Sequence, residues 1–136
     1  MRISVFGIGY VGCVSAACFA KDGHDVIGVD LNSTKVGIIN SGKSPIVEAG
    51  LEDLISEMVA AGRLRAVTCP CDAIRETEVS LVCVGTPSNA NGSLDLSHIK
   101  RVCEEIGAAM KAKNSRHTIV IRSTMLPGTV EGVVIP

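Results

Sequence analysis

The chain has 136 residues, enough for one domain with a real hydrophobic core. Thirteen basic and fourteen acidic residues leave a formal net charge of -1, so no general attraction to nucleic acid or to an anionic membrane is built in. With no Trp, one Tyr and two Phe, it also lacks the aromatic platforms on which bases stack, and nucleic acid is not an expected partner.

Arg2-Ile3-Ser4-Val5-Phe6 has the β-branched, alternating character of a short buried strand, and the spacing after Gly12 becomes helical. Between them lies Gly7-Ile8-Gly9-Tyr10-Val11-Gly12, which reads as a phosphate cradle. Gly7 can take the tight turn, Gly9 lets a pyrophosphate approach the backbone, and Gly12 lets the helix pack against the strand. A helix starting near Tyr10 offers unpaired N–H groups and about half a positive charge to an anion over its first turn. On that helix Val11, Val14, Ser15, Cys18 and Phe19 recur at helical spacing and predict the stripe that meets the sheet. A second apolar run, Val26-Ile27-Gly28-Val29-Asp30, closes on an acid 18 positions beyond Gly12 (30 minus 12), near the roughly 20-residue spacing of a ribose-binding carboxylate.

Asn32 or Ser33 can cap a helix running towards Asn40 with Val36 and Ile39 inward. Leu51, Leu54, Ile55, Met58 and Val59 mark the next helix, and Ala66-Val67-Thr68 and Asp72 to Thr77 suggest a short strand and a short helix. Val79 to Val84 is a continuous apolar run, as in a parallel strand covered on both faces, and it ends at Gly85-Thr86-Pro87. A helix from about Leu96 to Lys113 buries Ile99, Val102, Cys103, Ile106 and Met110, puts Arg101 and Glu105 towards water, and takes Asp95 or Ser97 as its cap. Thr118 to Thr124 is a fifth strand, before the Pro127-Gly128 turn. Strands alternating with helices predict an α/β, Rossmann-like doubly wound parallel sheet of order 3-2-1-4-5, with the ligand over the carboxyl ends between strands 1 and 4. Gly7, Asp30, Thr86 and Thr124 all fall at such ends, although two strand-ending threonines are also simply β-formers.

The start of the chain mimics a secretory signal, but Gly7, Gly9 and Gly12 would break a signal helix and the strand-turn-helix reading explains each of them. No run reaches the roughly 20 apolar residues that span a bilayer, so a soluble, cytoplasmic protein without membrane partners is expected. Six cysteines (13, 18, 69, 71, 83 and 103) fall mostly on predicted helices and strands, where cysteine behaves as a small hydrophobe. Cys69-Pro70-Cys71 stands apart, but a CxC pair without a further cysteine or histidine cluster is a poor zinc site, and no metal is expected. His24, His98 and His117 read as surface histidines. Asp30 suits a ribose diol and would repel a 2′-phosphate, which favours NAD over NADP; Lys35 could neutralise such a phosphate but also reads as a solvated helix lysine.

The motifs Phe6 to Gly12, Val29-Asp30 with Lys35, Gly42 to Glu48, Cys83-Val84-Gly85-Thr86-Pro87, Asp95-Leu96-Ser97 and Arg122 to Thr129 together resemble the nucleotide-sugar 6-dehydrogenases, the family of UDP-glucose and GDP-mannose dehydrogenases. The resemblance covers the whole chain. Arg116-His117-Thr118 and Met125-Leu126-Pro127-Gly128-Thr129 resemble the GDP-mannose branch, associated with alginate-type polysaccharide synthesis. It implies that Tyr10, Val11, Asp30, Lys35, Thr86 and Thr124 contact NAD, with Thr124 also near the reacting centre, where its hydroxyl can position a water or the sugar's C6 oxygen. It implies oxidation of a primary alcohol to a carboxylate by two hydride transfers to NAD, with the aldehyde held on a cysteine. None of the six cysteines matches that nucleophile. Ala49 departs from the family's proline after the matching Glu48.

The chain is therefore expected to be the N-terminal NAD-binding part, residues 1 to 136, of a longer enzyme whose substrate and catalytic-cysteine regions lie downstream. By itself it is expected to bind NAD weakly, to turn nothing over, and to be monomeric or weakly associated, the full-length enzyme being a homo-oligomer. A free-standing NAD(H)-sensing module and an S-adenosylmethionine-dependent methyltransferase are the alternative readings.

Overall fold

The computed structural model describes all 136 residues. Five strands, β1 (Arg2–Phe6), β2 (Asp25–Val29), β3 (Leu64–Val67), β4 (Val79–Val82) and β5 (Thr118–Ile121), form one sheet in the order β3-β2-β1-β4-β5. Every pairing is parallel. The helices are α1 (Tyr10–Lys21), α2 (Ser33–Asn40), α3 (Leu51–Ala60), α4 (Pro70–Glu76) and α5 (Ser97–Lys111), and Val130–Val134 forms one π-helical turn.

The period-two alternation of β1 divides the interior. Ile3 and Val5 join Val26, Leu64 and the buried sides of α1, α2 and α3 in one cluster. Phe6 joins Ile27, Val29 and Val82 with α4 and α5 in a second, on the other face. The result is the helix-sheet-helix sandwich expected when successive crossovers keep one hand and the sheet order reverses about its first strand.

Several local expectations need correction. The buried side of α1 is Gly12, Cys13, Ala16, Ala17 and Ala20, whereas Val11 and Cys18 are exposed. Closeness of approach selects this face: a Cβ at Gly12 would lie 1.8 Å from the Gly7 carbonyl oxygen, so only small side chains fit. Strand β3 begins earlier than expected, at Leu64, and α4 begins at Pro70, a residue suited to the first helical position. Strands β4 and β5 stop at Val82 and Ile121, because the chain leaves the ladder to build the carboxyl-end loops. Strand β5 is the sheet's edge, and its Ile119 and Val120 remain 38% and 42% exposed.

Candidate cofactor site

Strands β1 and β4 are neighbours whose following connections lead to opposite faces of the sheet, and a cleft of about 390 Å³ opens above their carboxyl ends. Gly7 and Gly9 come to it from the β1–α1 turn, and Asp30, Leu31, Asn32 and Lys35 from the end of β2 and the start of α2. Pro70 comes from α4, Cys83, Val84, Gly85 and Pro87 from the loop after β4, and His98, Arg101, Val102 and Glu105 from α5.

The three glycines have different duties. Gly7 has φ +91°, and a Cβ there would press on the Cys83 carbonyl at 3.0 Å. Gly12 is required by the 1.8 Å approach already described. At Gly9 an added Cβ would meet nothing within 4 Å, so the protein's own packing makes no demand for glycine there. Its open side is cleft, the space a ligand's phosphates would fill.

The helix ends show a parallel contrast. Asn32 caps α2, its side-chain oxygen accepting from the N–H groups of Thr34 and Lys35. Helix α1 has no side-chain cap and no acid in its first turn. Its positive end is thus left for an anion supplied from outside.

Asp30 stands across the cleft from that end. One carboxylate oxygen accepts the Ile8 N–H and the other the Asn32 N–H, each at 2.9 Å, which ties the glycine turn to the end of β2. An ionised carboxylate has about four acceptor positions, so about two remain, the number a ribose diol needs. Lys35 is half-buried nearby and is close enough to Cys13 to counter, in part, the burial that pushes that thiol up to about 11. Burial likewise raises the Cys83 and Cys103 thiols. None of these three is an activated nucleophile.

Of the residues singled out from the sequence, Gly7, Gly9, Asp30 and Lys35 line the cleft together. Gly12 lies buried behind them. Tyr10 and Val11 are exposed on the first turn of α1, and the Tyr10 hydroxyl donates to the Glu48 carboxylate, whose acceptance of that bond holds the phenol above its ordinary range. Thr86 and Thr124 are not among the residues that line the cleft. The Thr86 hydroxyl donates to the Thr124 carbonyl at 2.6 Å, and the Ser123 hydroxyl to the Val84 carbonyl at 2.7 Å, so these bonds lace together the loops after β4 and β5.

His98, Arg101 and Glu105 are the residues that sequence reasoning placed in water. They do lie on the polar face of α5, where Arg101 donates to Glu105 at 3.1 Å, but the first turns of that face border the cleft. Helical periodicity identifies a polar face without saying what stands opposite it.

All of residues 1–136 match the family described as the UDP-glucose/GDP-mannose dehydrogenase family, NAD binding domain. The chain belongs to this family. It is 60% identical over 136 residues to a GDP-mannose 6-dehydrogenase of Pseudomonas syringae pv. tomato, covering all of this chain and 31% of that protein. Among solved structures, a ternary complex of GDP-mannose dehydrogenase from Pseudomonas aeruginosa superimposes with a TM-score of 0.99 at 57% identity, over all of this chain and 31% of that one. A UDP-glucose dehydrogenase from Pyrobaculum islandicum gives 0.93 at 38% identity, over 98% of this chain and 31% of that one. The chain thus spans about a third of the length of the relatives it matches, and what it contributes to the UDP-glucose/GDP-mannose dehydrogenase family is the NAD-binding domain. No helix in it is long and apolar enough to cross a membrane.

Proposed function

We propose that this chain is the cofactor-holding part of a cytoplasmic, homo-oligomeric GDP-mannose 6-dehydrogenase, whose other regions carry the sugar nucleotide and the nucleophile. Bound NAD would supply a hydride acceptor, used twice as the C6 alcohol goes to the carboxylate. The residues here do the holding. The backbone of Gly7, Gly9, Tyr10 and Val11 receives the diphosphate at the mouth of α1, which Gly12 lets pack close behind the turn, and Asp30 accepts from the adenosine ribose, with Lys35 beside it balancing charge. Thr86 and Thr124 border the nicotinamide end, where the Thr124 hydroxyl is free to orient a water or the C6 oxygen.

The observation that carries this reading is the pairing of an uncapped α1 with Gly9, which lines the cleft and where a side chain would meet no protein atom within 4 Å. Support for GDP-mannose over UDP-glucose comes from the 60% identity to a GDP-mannose 6-dehydrogenase. Joining this chain to the downstream two-thirds of such a relative tests the proposal. NADH production with GDP-mannose at about tenfold or more the kcat/KM found with UDP-glucose is the expected result, and the reverse preference would refute the assignment.

A further inference from the structure

Cys69, Pro70 and Cys71 make the turn from β3 into α4. Both thiols are exposed, whereas Cys13 is buried and Cys83 and Cys103 are half-buried. The remaining exposed cysteine, Cys18, lies on α1, in the layer on the opposite face of the sheet from α4. Cys69 and Cys71 therefore have only each other as partners within the chain. The one residue between them, Pro70, lines the cleft that also holds Asp30 and Lys35.

Chain geometry makes the pair bridgeable. Residues two apart have Cα atoms no more than about 7 Å apart even when fully extended, and the turn from extended Cys69 (φ -91°, ψ 116°) into the helix at Pro70 shortens that span. Disulfides take roughly 4.4 to 6.8 Å. Ala73 and Ile74, wholly buried, anchor α4 one turn later, so any adjustment falls on the Cys69–Cys71 segment. The ring that would close runs through the backbone of Pro70. Since the pyrrolidine fixes its φ, the change must be taken by the ψ angles on either side, and these aim the proline ring into the cleft.

We propose that Cys69 and Cys71 are a dithiol–disulfide couple whose oxidation closes a bridge across Pro70 and weakens NAD binding in the adjoining cleft. The inference deepens the cofactor reading and rests on it. The oxidant is a low-molecular-weight disulfide. One protein thiolate attacks it and releases one small thiol, and the second protein thiolate then displaces the other half from the mixed disulfide. The protein gives up two electrons and two protons, and the reagent becomes two thiols. Desolvation, and then the neighbouring Cys69 sulfur, push the Cys71 thiol up. Attack by Cys71 therefore quickens as pH rises.

Treating the chain with oxidised glutathione and digesting it with trypsin after alkylation tests the bridge, because residues 66–75 follow Arg65, end at Arg75 and contain Cys69 and Cys71 and no other cysteine. The expected peptide is unalkylated and lighter by two hydrogen atoms than the reduced, unmodified one. NADH affinity should fall about fivefold on oxidation and recover on reduction, while Cys69→Ser and Cys71→Ser bind NADH like the reduced chain and show no such fall. Glutathione left on either cysteine without ring closure, or a closed bridge with unchanged NADH affinity, would overturn the proposal. Failure of the reduced chain to bind NADH would instead remove the cofactor reading beneath it.

Discussion

The two ends of the sheet treat polar groups in opposite ways. At the carboxyl end the α1 terminus is uncapped, Gly9 faces open space, and Asp30 keeps acceptor capacity in reserve. At the amino end, between β1, β4 and the approach to β5, everything is paired. Ser4 and Ser80, wholly buried and opposite one another in register, bond at 2.6 Å. Ser80 meets the His117 Nε2 at 2.7 Å, and Lys113 Nζ meets the His117 Nδ1 at 2.9 Å. Lysine can only donate, so Nδ1 accepts and the ring proton sits on Nε2, donating to Ser80, which in turn donates to Ser4. One end is paired as folded, and the other leaves backbone donors and carboxylate acceptor positions open.

Substitutions should separate the two kinds of end. Gly12→Ala breaks the domain itself, since the 1.8 Å overlap with the Gly7 oxygen cannot be relieved without moving α1. A loss of roughly 3 kcal/mol or more is expected from urea unfolding, if the variant folds at all. Ser80→Ala leaves the His117 N–H without its partner, while the Ser4 hydroxyl keeps Thr77 and the Val79 carbonyl, and should cost about 1 to 3 kcal/mol with NADH affinity unchanged; a matching loss of affinity would mean the two ends are coupled.

Gly9→Ala should do the reverse. Its backbone, φ -85° and ψ -163°, is extended and open to alanine, so stability should stay within about 0.5 kcal/mol of the parent. NADH affinity should fall about tenfold or more, because the methyl group occupies the diphosphate's approach.

The smallest effect is a pH dependence confined to the amino end. Burial, and then the Lys113 ammonium, hold His117 below its ordinary range, partly offset by the Thr77 carbonyl, to which Nδ1 can donate only once the ring is protonated, while Arg2 and Glu78 act in turn on Lys113. The folded ring prefers to be neutral, so its stabilisation is fully present above about pH 6.5 and is lost as pH falls through the lower folded value. In His117→Gln the slope of unfolding free energy against pH should flatten in that window.

What the sequence revealed follows from the range of the interactions involved. The glycine turn, Asp30 and the sheet order were legible because they depend on short spacings and on the alternation of strands with helices. The hydroxyl–histidine chain was not, since its bonds join residues 37 to 76 positions apart, and His117 looks like any polar residue before a strand. The face of α1 was legible in part, since Val14 and Phe19 do pack against the core, but its centre was missed because size rather than hydrophobicity selects it at Gly12, Ala16 and Ala17. His98, Arg101 and Glu105 were missed for want of any local sign that α5 begins beside the cleft.

Fluorescence titration of the chain with NADH and NADPH, before and after Asp30→Ala, tests the open end most directly. Binding of NADH at least about tenfold tighter than NADPH, with the preference abolished by the substitution, is the predicted result. Equal affinities in the parent chain, or a preference that survives the loss of Asp30, would contradict it.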